Sequence, residues 1–174
     1  LSTDDATTEG VLLHALDFLK KENYSFDAVV LLQPTSPVRN EYIIEQAIDV
    51  FESDNADSLV SVCPSHAFFW KAKEIPEAQY NYKLRPRRQD ISPENLNYRE
   101  NGSIYITKVN TLISEKNRLG GKIALFEMPE LESHEIDSST DFVIAEQLML
   151  CLQKSKEVSK IKKSQIDAII FDFD

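Results

Sequence analysis

Apolar positions along this chain follow two rhythms. Val11, Leu12, Ala15, Leu16 and Leu19 recur at helical spacing and predict a first helix ending near Lys21. The polar opening LSTDDATTEG is rich in helix-starting residues: Ser2 and Asp5 stand at capping-box spacing, and Thr7 and Thr8 are further N-cap candidates. DAVVLLQ is instead a short continuous apolar run rich in β-branched residues. Such a run suits a strand buried on both faces, as in a parallel sheet. Ile43, Ile44, Ala47, Ile48 and Phe51 mark a second amphipathic helix, and SLVSVCP predicts a strand ended by Pro64.

Residues 64–97 break the rhythm. They hold several prolines and most of the aromatic cluster, with no sustained period. A segment this long and irregular is uncommon in a compact domain and is often functional. It reads as an excursion, partly hairpin, that packs on a partner subunit. Regularity then returns. GSIYIT alternates like a strand, KVNTLISEKN predicts a short helix, Gly120-Gly121 a turn and KIALFEMP a strand. Thr140 to Leu152 predicts a helix, QKSKEVSKIKKSQ a charged linker, and IDAIIFD the start of one more buried strand.

Helices alternating with strands argue an α/β fold with a largely parallel sheet. The 174 residues suffice for one domain with a sizeable core. A net charge of -10 makes nucleic-acid polymers and anionic membranes poor partners. An anionic small molecule would need local cations or a metal to offset that field. No apolar run approaches the ~20 residues of a membrane span. Cys63 and Cys151 sit in apolar patterns without a CxxC, which reads as two buried free thiols in a reducing, cytoplasmic setting.

Four segments carry candidate chemistry. The run LLQPTSPVR leaves a buried strand abruptly, and in open α/β sheets ligands bind beyond the carboxyl ends of strands. Gln33 offers an amide, and Thr35 and Ser36 offer hydroxyls near a helix start whose free N–H groups favour anions. Pro34 and Pro37 stiffen the loop; a plain capped turn is the competing reading. RPRRQD gathers Arg85, Arg87 and Arg88, suited to carboxylate or phosphate, or to a solvated face. Asn101-Gly102 in YRENGSIYI permits a close backbone approach and is equally a hairpin signal. In ESHEIDSSTDF, Glu135 and Asp137 face one side if extended and suit magnesium, whereas Asp137 or Ser138 as a helix cap explains the same pattern. His14, His66 and His134 show no metal spacing, and no GxSxG elbow or P-loop is present.

Taken in order, LSTDDATTEGVLLHAL, LLQPTSPVR, RRQD, YRENGSIYI and HEIDSSTDF resemble the acylneuraminate (CMP-sialic acid) cytidylyltransferases over roughly residues 1–150. The resemblance implies a Rossmann-like three-layer nucleotidyltransferase (nucleotide-diphospho-sugar transferase) fold and a cytoplasmic homodimer. It implies that CTP and a nonulosonic acid are the substrates, with Mg2+ assisting and pyrophosphate leaving. By position, Thr8 resembles a residue near the nucleotide. Gln33 resembles the residue that contacts the sugar acid, supported by Thr35, Ser36 and Arg39. Arg88 and Gln89 match a segment holding the acidic sugar or the phosphates. Asn101 and Tyr105 match the strand beside the sugar pocket, and Glu135 and Asp137 match an Asp-x-Asp metal pair, with glutamate in place of the first aspartate. Gln33, Arg88 and Asp137 are the residues expected to carry catalysis.

The family's N-terminal strand and glycine-rich phosphate loop have no counterpart after Leu1. The expectation is therefore an N-terminally truncated cytidylyltransferase domain, residues 1–153, inactive alone and carrying its dimerisation excursion at 64–97. Residues 154–164 then form a linker and 165–174 begin a second domain. There IIFDFD resembles the first motif of haloacid dehalogenase-like phosphatases, with Asp172 as nucleophile and Asp174 as general acid. A cytidylyltransferase for another 2-keto sugar acid such as ketodeoxyoctonate, and a non-catalytic dimerisation module, are the alternatives.

Overall fold

The computed structural model describes residues 6–154 and 170–171. Ser2, Asp5, Asp172 and Asp174, and the linker expected at 154–164 beyond its first residue, lie outside the described residues. Four helices, α1 (Thr8–Lys21), α2 (Ile43–Ser53), α3 (Val109–Glu115) and α4 (Ser139–Lys154), alternate with strands in an α/β arrangement. The strands are β1 (Ala28–Leu32), β2 (Ser58–Ser65), β3 (Trp70–Lys71), β4 (Glu77–Ala78), β5 (Asn97–Lys108), β6 (Ile123–Glu127) and β7 (Ile170–Phe171).

Among the described residues, five strands form one sheet in the order β6-β2-β5-β1-β7, and β3 pairs β4 in a small hairpin. Helices cover both faces of the large sheet. On one, Ile43, Ala47 and Phe51 of α2 pack on Val30, Leu32, Leu59, Ile104, Ile106 and Phe126. On the other, Leu12 and Leu16 of α1 and Leu112 of α3 pack on Val29, Leu31, Val60, Val62 and Tyr105. This explains the unbroken apolar run of β1. Alternate residues point to opposite faces of a strand, and here both faces are core.

The pairing is less parallel than the alternation of elements suggests. β2 pairs β6 in parallel and β1 pairs β7 in parallel, but β5 opposes both β1 and β2. The cause is the excursion. Ser65 pairs with Asn97, so the chain leaves β2 and re-enters β5 at the same end of the sheet. The excursion is thus the loop of one long hairpin, and a hairpin makes its strands antiparallel. Pro64 lies inside β2 rather than ending it, paired with Tyr98. It is tolerated because β6 pairs β2 only as far as Val62, so the missing N–H falls on an open edge.

Cys63 is buried, as its apolar context suggests, but Cys151 is exposed on α4. That helix buries Ala145 and leaves Phe142, Val143, Ile144, Met149 and Leu150 largely open. Among the described residues no helix is long and apolar enough to cross a membrane.

A candidate sugar-acid site at the end of β1

β5 carries an irregularity that creates the site. Its register against β2 runs from Val62–Glu100 directly to Val60–Tyr105, so Ser61 alone faces the stretch from Asn101 to Ile104. The extra residues form a bulge, a device that re-aims side chains and bends a strand. Gly102 sits there at φ 61°, a left-handed conformation that glycine adopts without penalty. The Asn-Gly pair is therefore a bulge within one strand, not the turn of a hairpin.

Three segments meet at this bulge, and buried polar side chains tie them together. Ser61 Oγ donates to Asn101 Oδ1 at 2.6 Å and accepts from Ile104 N at 2.7 Å. Asn101 Oδ1 also accepts from Ser103 N, and Asn101 Nδ2 donates to Ser133 Oγ at 2.9 Å. Ser133 Oγ donates in turn to Pro129 O. Ser36 Oγ donates to Asn101 O at 3.0 Å. Asn40, through its backbone N and its side-chain Nδ2, donates to the buried Glu132, and Ile136 N donates to Thr35 O at 2.7 Å. Every polar atom of the Asn101 side chain is used, as burial requires.

Arg39 completes the junction. Its Nε donates to Ser103 Oγ at 2.9 Å, and its Nη2 donates to Gln33 O at 2.7 Å and Ser103 O at 2.8 Å. Burial among these neutral acceptors lowers its pKa to about 10, so the guanidinium stays charged at neutral pH. Its work is to hold the backbone of Gln33 against the bulge.

What faces outward is small and specific. A Cβ on Gly102 would lie 2.5 Å from Glu135 Oε1, 2.8 Å from Gln33 Oε1 and 3.2 Å from Ser36 Oγ. Gln33 stands 69 positions before Gly102 and Glu135 33 positions after it, yet the two converge over a glycine that has no side chain to keep them apart. Burial raises the pKa of Glu135, Arg99 opposes that rise, and the like charges of Asp137 and Glu100 add to it. A half-buried carboxyl crowded by two others is a donor set suited to a hard cation. Among the described residues no group of three or more His, Cys, Asp or Glu forms a protein cage for a metal. The pair Glu135 and Asp137 fits an ion that keeps water and brings phosphate oxygens, as Mg2+ does.

The cap question at α4 is also settled. Asp141 N donates to Ser138 Oγ at 3.3 Å, and Ser138 Oγ donates to Asp141 Oδ2 at 2.8 Å. Ser138 and Asp141 share the capping, which leaves the exposed Asp137 carboxylate out of it. A hollow of about 410 Å³ opens beside the loop, walled by Pro34, Pro37, Ile136, Phe142 and Met149.

Several expected site residues are placed differently. Asn101 is fully buried and Ser36 nearly so, and both are spent on the junction, so neither presents a group to a ligand. Thr35 is exposed, but α2 begins only at Ile43, so Thr35 and Ser36 do not stand at its N-terminus. Tyr105 turns into the layer of α1 and α3. Its hydroxyl donates to Glu100 at 3.1 Å, its ring lies under Arg118, and burial ahead of Glu100 pushes its pKa up to about 12. Thr7, not Thr8, caps α1 by accepting from Gly10 N, and Thr8 is the half-buried first residue of that helix.

Arg88 and Gln89 remain on the excursion, exposed in a short 3-10 turn with no hydrogen bond to Gln33, Glu135 or Asp137. Their neighbours are engaged: Arg87 pairs with Asp90, and Arg85 lies over the Phe68 ring at 4.5 Å. Sequence reading also passed over Arg99, Ser61 and Ser133. Arg99 stands directly before Glu100-Asn101-Gly102, and that adjacency to the glycine was the available signal.

The chain is 33% identical over 136 residues to N-acylneuraminate cytidylyltransferase A of Danio rerio, covering 75% of this chain and 31% of that protein. It is 30% identical over 150 residues to N-acylneuraminate cytidylyltransferase of Streptococcus agalactiae, covering 82% of this chain and 34% of that one. The Oncorhynchus mykiss N-acylneuraminate cytidylyltransferase is 33% identical over 134 residues, 74% of this chain and 30% of its own length. The chain spans about a third of the curated relatives it matches. No protein-family model matches it.

Proposed function

We propose that this chain carries the sugar-acid site of a cytidylyltransferase that transfers CMP from CTP to a nonulosonic acid of the sialic type. The observation that carries the reading is the convergence of Gln33 and Glu135 over Gly102 at the end of β1, in a chain similar to N-acylneuraminate cytidylyltransferases. In the reaction, the anomeric hydroxyl oxygen of the sugar acid bonds to the α-phosphorus of CTP. The bond from that phosphorus to the bridging oxygen of pyrophosphate breaks, and the hydroxyl proton is lost. Gln33, its backbone clamped by Arg39, orients the sugar acid through its side-chain amide. Glu135 and the free carboxylate of Asp137 hold Mg2+, which when bound offsets charge building on the phosphates.

Arg88 and Gln89, exposed on the excursion, act on the acidic sugar or the phosphates of a second copy. The excursion supports a homodimer because Trp70, Ile75, Tyr82 and Leu84 are exposed along it, an apolar display that a lone soluble domain rarely keeps. A cytoplasmic setting follows from CTP as substrate.

The chain binds the sugar acid through this site. Isothermal titration of the chain with N-acetylneuraminate, against Gln33→Ala, is expected to show binding lost in the variant. Equal affinity of the variant would remove Gln33 from the site.

A further inference from the structure

Arg99 lies on β5 just before the bulge, and its side chain crosses to the loop that carries Glu135. Its Nη1 stands 3.3 Å from Glu135 Oε2, and its Nη2 donates to Ser133 O at 3.0 Å. The other carboxylate oxygen, Oε1, is the one that faces Gln33 over Gly102. Glu135 is therefore gripped by one oxygen and presents the other to the site. Glu100 and Asp137 both repel it, and Arg99 is the cation that touches it.

We propose that Arg99 is a positioning residue that stands in for the divalent ion, holding Glu135 and its loop in the binding arrangement and releasing the carboxylate when the ion arrives. This inference rests on the reading of Glu135 and Asp137 as the ion's ligands. The geometry suits an exchange. The Arg99 side chain is 48% exposed and that of Glu135 31%, and the contact is a single one at 3.3 Å, so the pair is weakly held. The bond to Ser133 O does not involve the carboxylate, so the guanidinium keeps that anchor after Glu135 leaves. Without a counter-charge, three carboxylates would push the loop away from Gln33.

Linkage sets the direction of the test. A contact made in the ion-free state and given up in the ion-bound state lowers apparent ion affinity. Mn2+ alone is titrated into the chain and followed by water-proton relaxation, with thermal melts at each end point. Arg99→Gln is expected to melt lower than wild type without Mn2+, to bind Mn2+ about two- to fivefold more tightly, and to gain more in Tm on binding. Arg99→Lys, which keeps the charge, is expected to bind Mn2+ like wild type. A merely structural role would lower both melts equally and leave Mn2+ affinity unchanged or weaker in Arg99→Gln, and that result would overturn the proposal. Loss of Mn2+ binding in Asp137→Asn together with no change in Arg99→Gln would overturn the role of Arg99 while sparing the metal pair. No Mn2+ binding by wild type would overturn both.

Discussion

The junction at the end of β1 and the excursion between β2 and β5 both carry residues expected to bind substrate, and they are built in opposite ways. At the junction the polar groups satisfy one another. Asn101 is 0% exposed and fully bonded, and Arg39 donates three hydrogen bonds, one to Gln33 in the loop and two to Ser103 in the bulge. On the excursion the polar groups point outward and the apolar ones go uncovered, with Ile75 at 82% and Leu84 at 76% exposure. Its order comes from a ring cluster, Phe68 against Tyr80 at 4.4 Å with Arg85 over Phe68, and from the short β3–β4 hairpin. The first region is complete within one chain. The second leaves its apolar side chains exposed. The ordered surroundings therefore lie around Gln33 and Glu135, whereas Arg88 and Gln89 stand exposed outside them.

The comparison breaks first at Asn101. Asn101→Ala leaves Ser103 N without its acceptor and takes one partner each from Ser61 Oγ and Ser133 Oγ, which keep only Ile104 N and Pro129 O, and a buried unsatisfied group costs roughly 1–3 kcal/mol. A loss of about 3 kcal/mol is expected from urea unfolding. A loss below about 1 kcal/mol would mean that the junction is not the rigid element described.

Gly102→Ala comes next. It forces a side chain into a left-handed backbone, at roughly 1–2 kcal/mol, and pushes Glu135 and Gln33 apart. Thermal melts should show that loss, and titration with N-acetylneuraminate should show binding weakened beyond what the stability change explains.

Glu135→Gln sharpens the electrostatic side. Burial raises Glu135 above the 4.5 of a free glutamate, with Asp137 and Glu100 adding to the rise and Arg99 opposing it. A carboxyl raised on folding favours the protonated folded state. Its contribution is present in full below the unfolded value and is lost as pH rises through the folded one. Wild type should therefore lose stability relative to Glu135→Gln as pH rises above the 4.5 of a free glutamate, read as the difference in their melts. Parallel curves would show that the crowding of carboxylates is relieved.

The smallest effect on stability belongs to the excursion. Arg88→Ala removes an exposed side chain with no hydrogen bond to the junction and should change stability by less than about 0.5 kcal/mol. In the protein assembled for turnover, loss of a charged donor to substrate is worth about tenfold or more in rate. Full activity of Arg88→Ala would leave the excursion with assembly as its only role.

Elements were largely legible because periodicity records burial directly. Leu12 and Leu16 face one layer, Ile43, Ala47 and Phe51 the other, and β1 is apolar throughout because both faces are covered. Topology was not legible at β5. Its direction depends on where the 64–97 segment returns to the sheet, and nothing in the local pattern of GSIYIT encodes that. The site was legible as a set of segments: QPTSPVR, ENG and HEID do come together. Individual roles were not. Asn101 and Ser36 have the chemistry of ligand contacts, yet burial turns their groups on one another. Arg99 looks like one more surface arginine until the bulge sets it beside Glu135.

By itself, then, the sequence determined most of the core and where the helices lie, because burial period and residue type are local properties; it did not show that Cys151 and the apolar residues of α4 stand open. Tertiary structure alone decided that Gly102 opens a bulge rather than a turn, that Ser138 rather than Asp137 caps α4, and that Gln33 meets Glu135. The bulge and the meeting of Gln33 with Glu135 depend on contacts between segments far apart in the chain, and the cap depends on where the helix starts. Which group of a polar pair faces inward is set by what lies across from it.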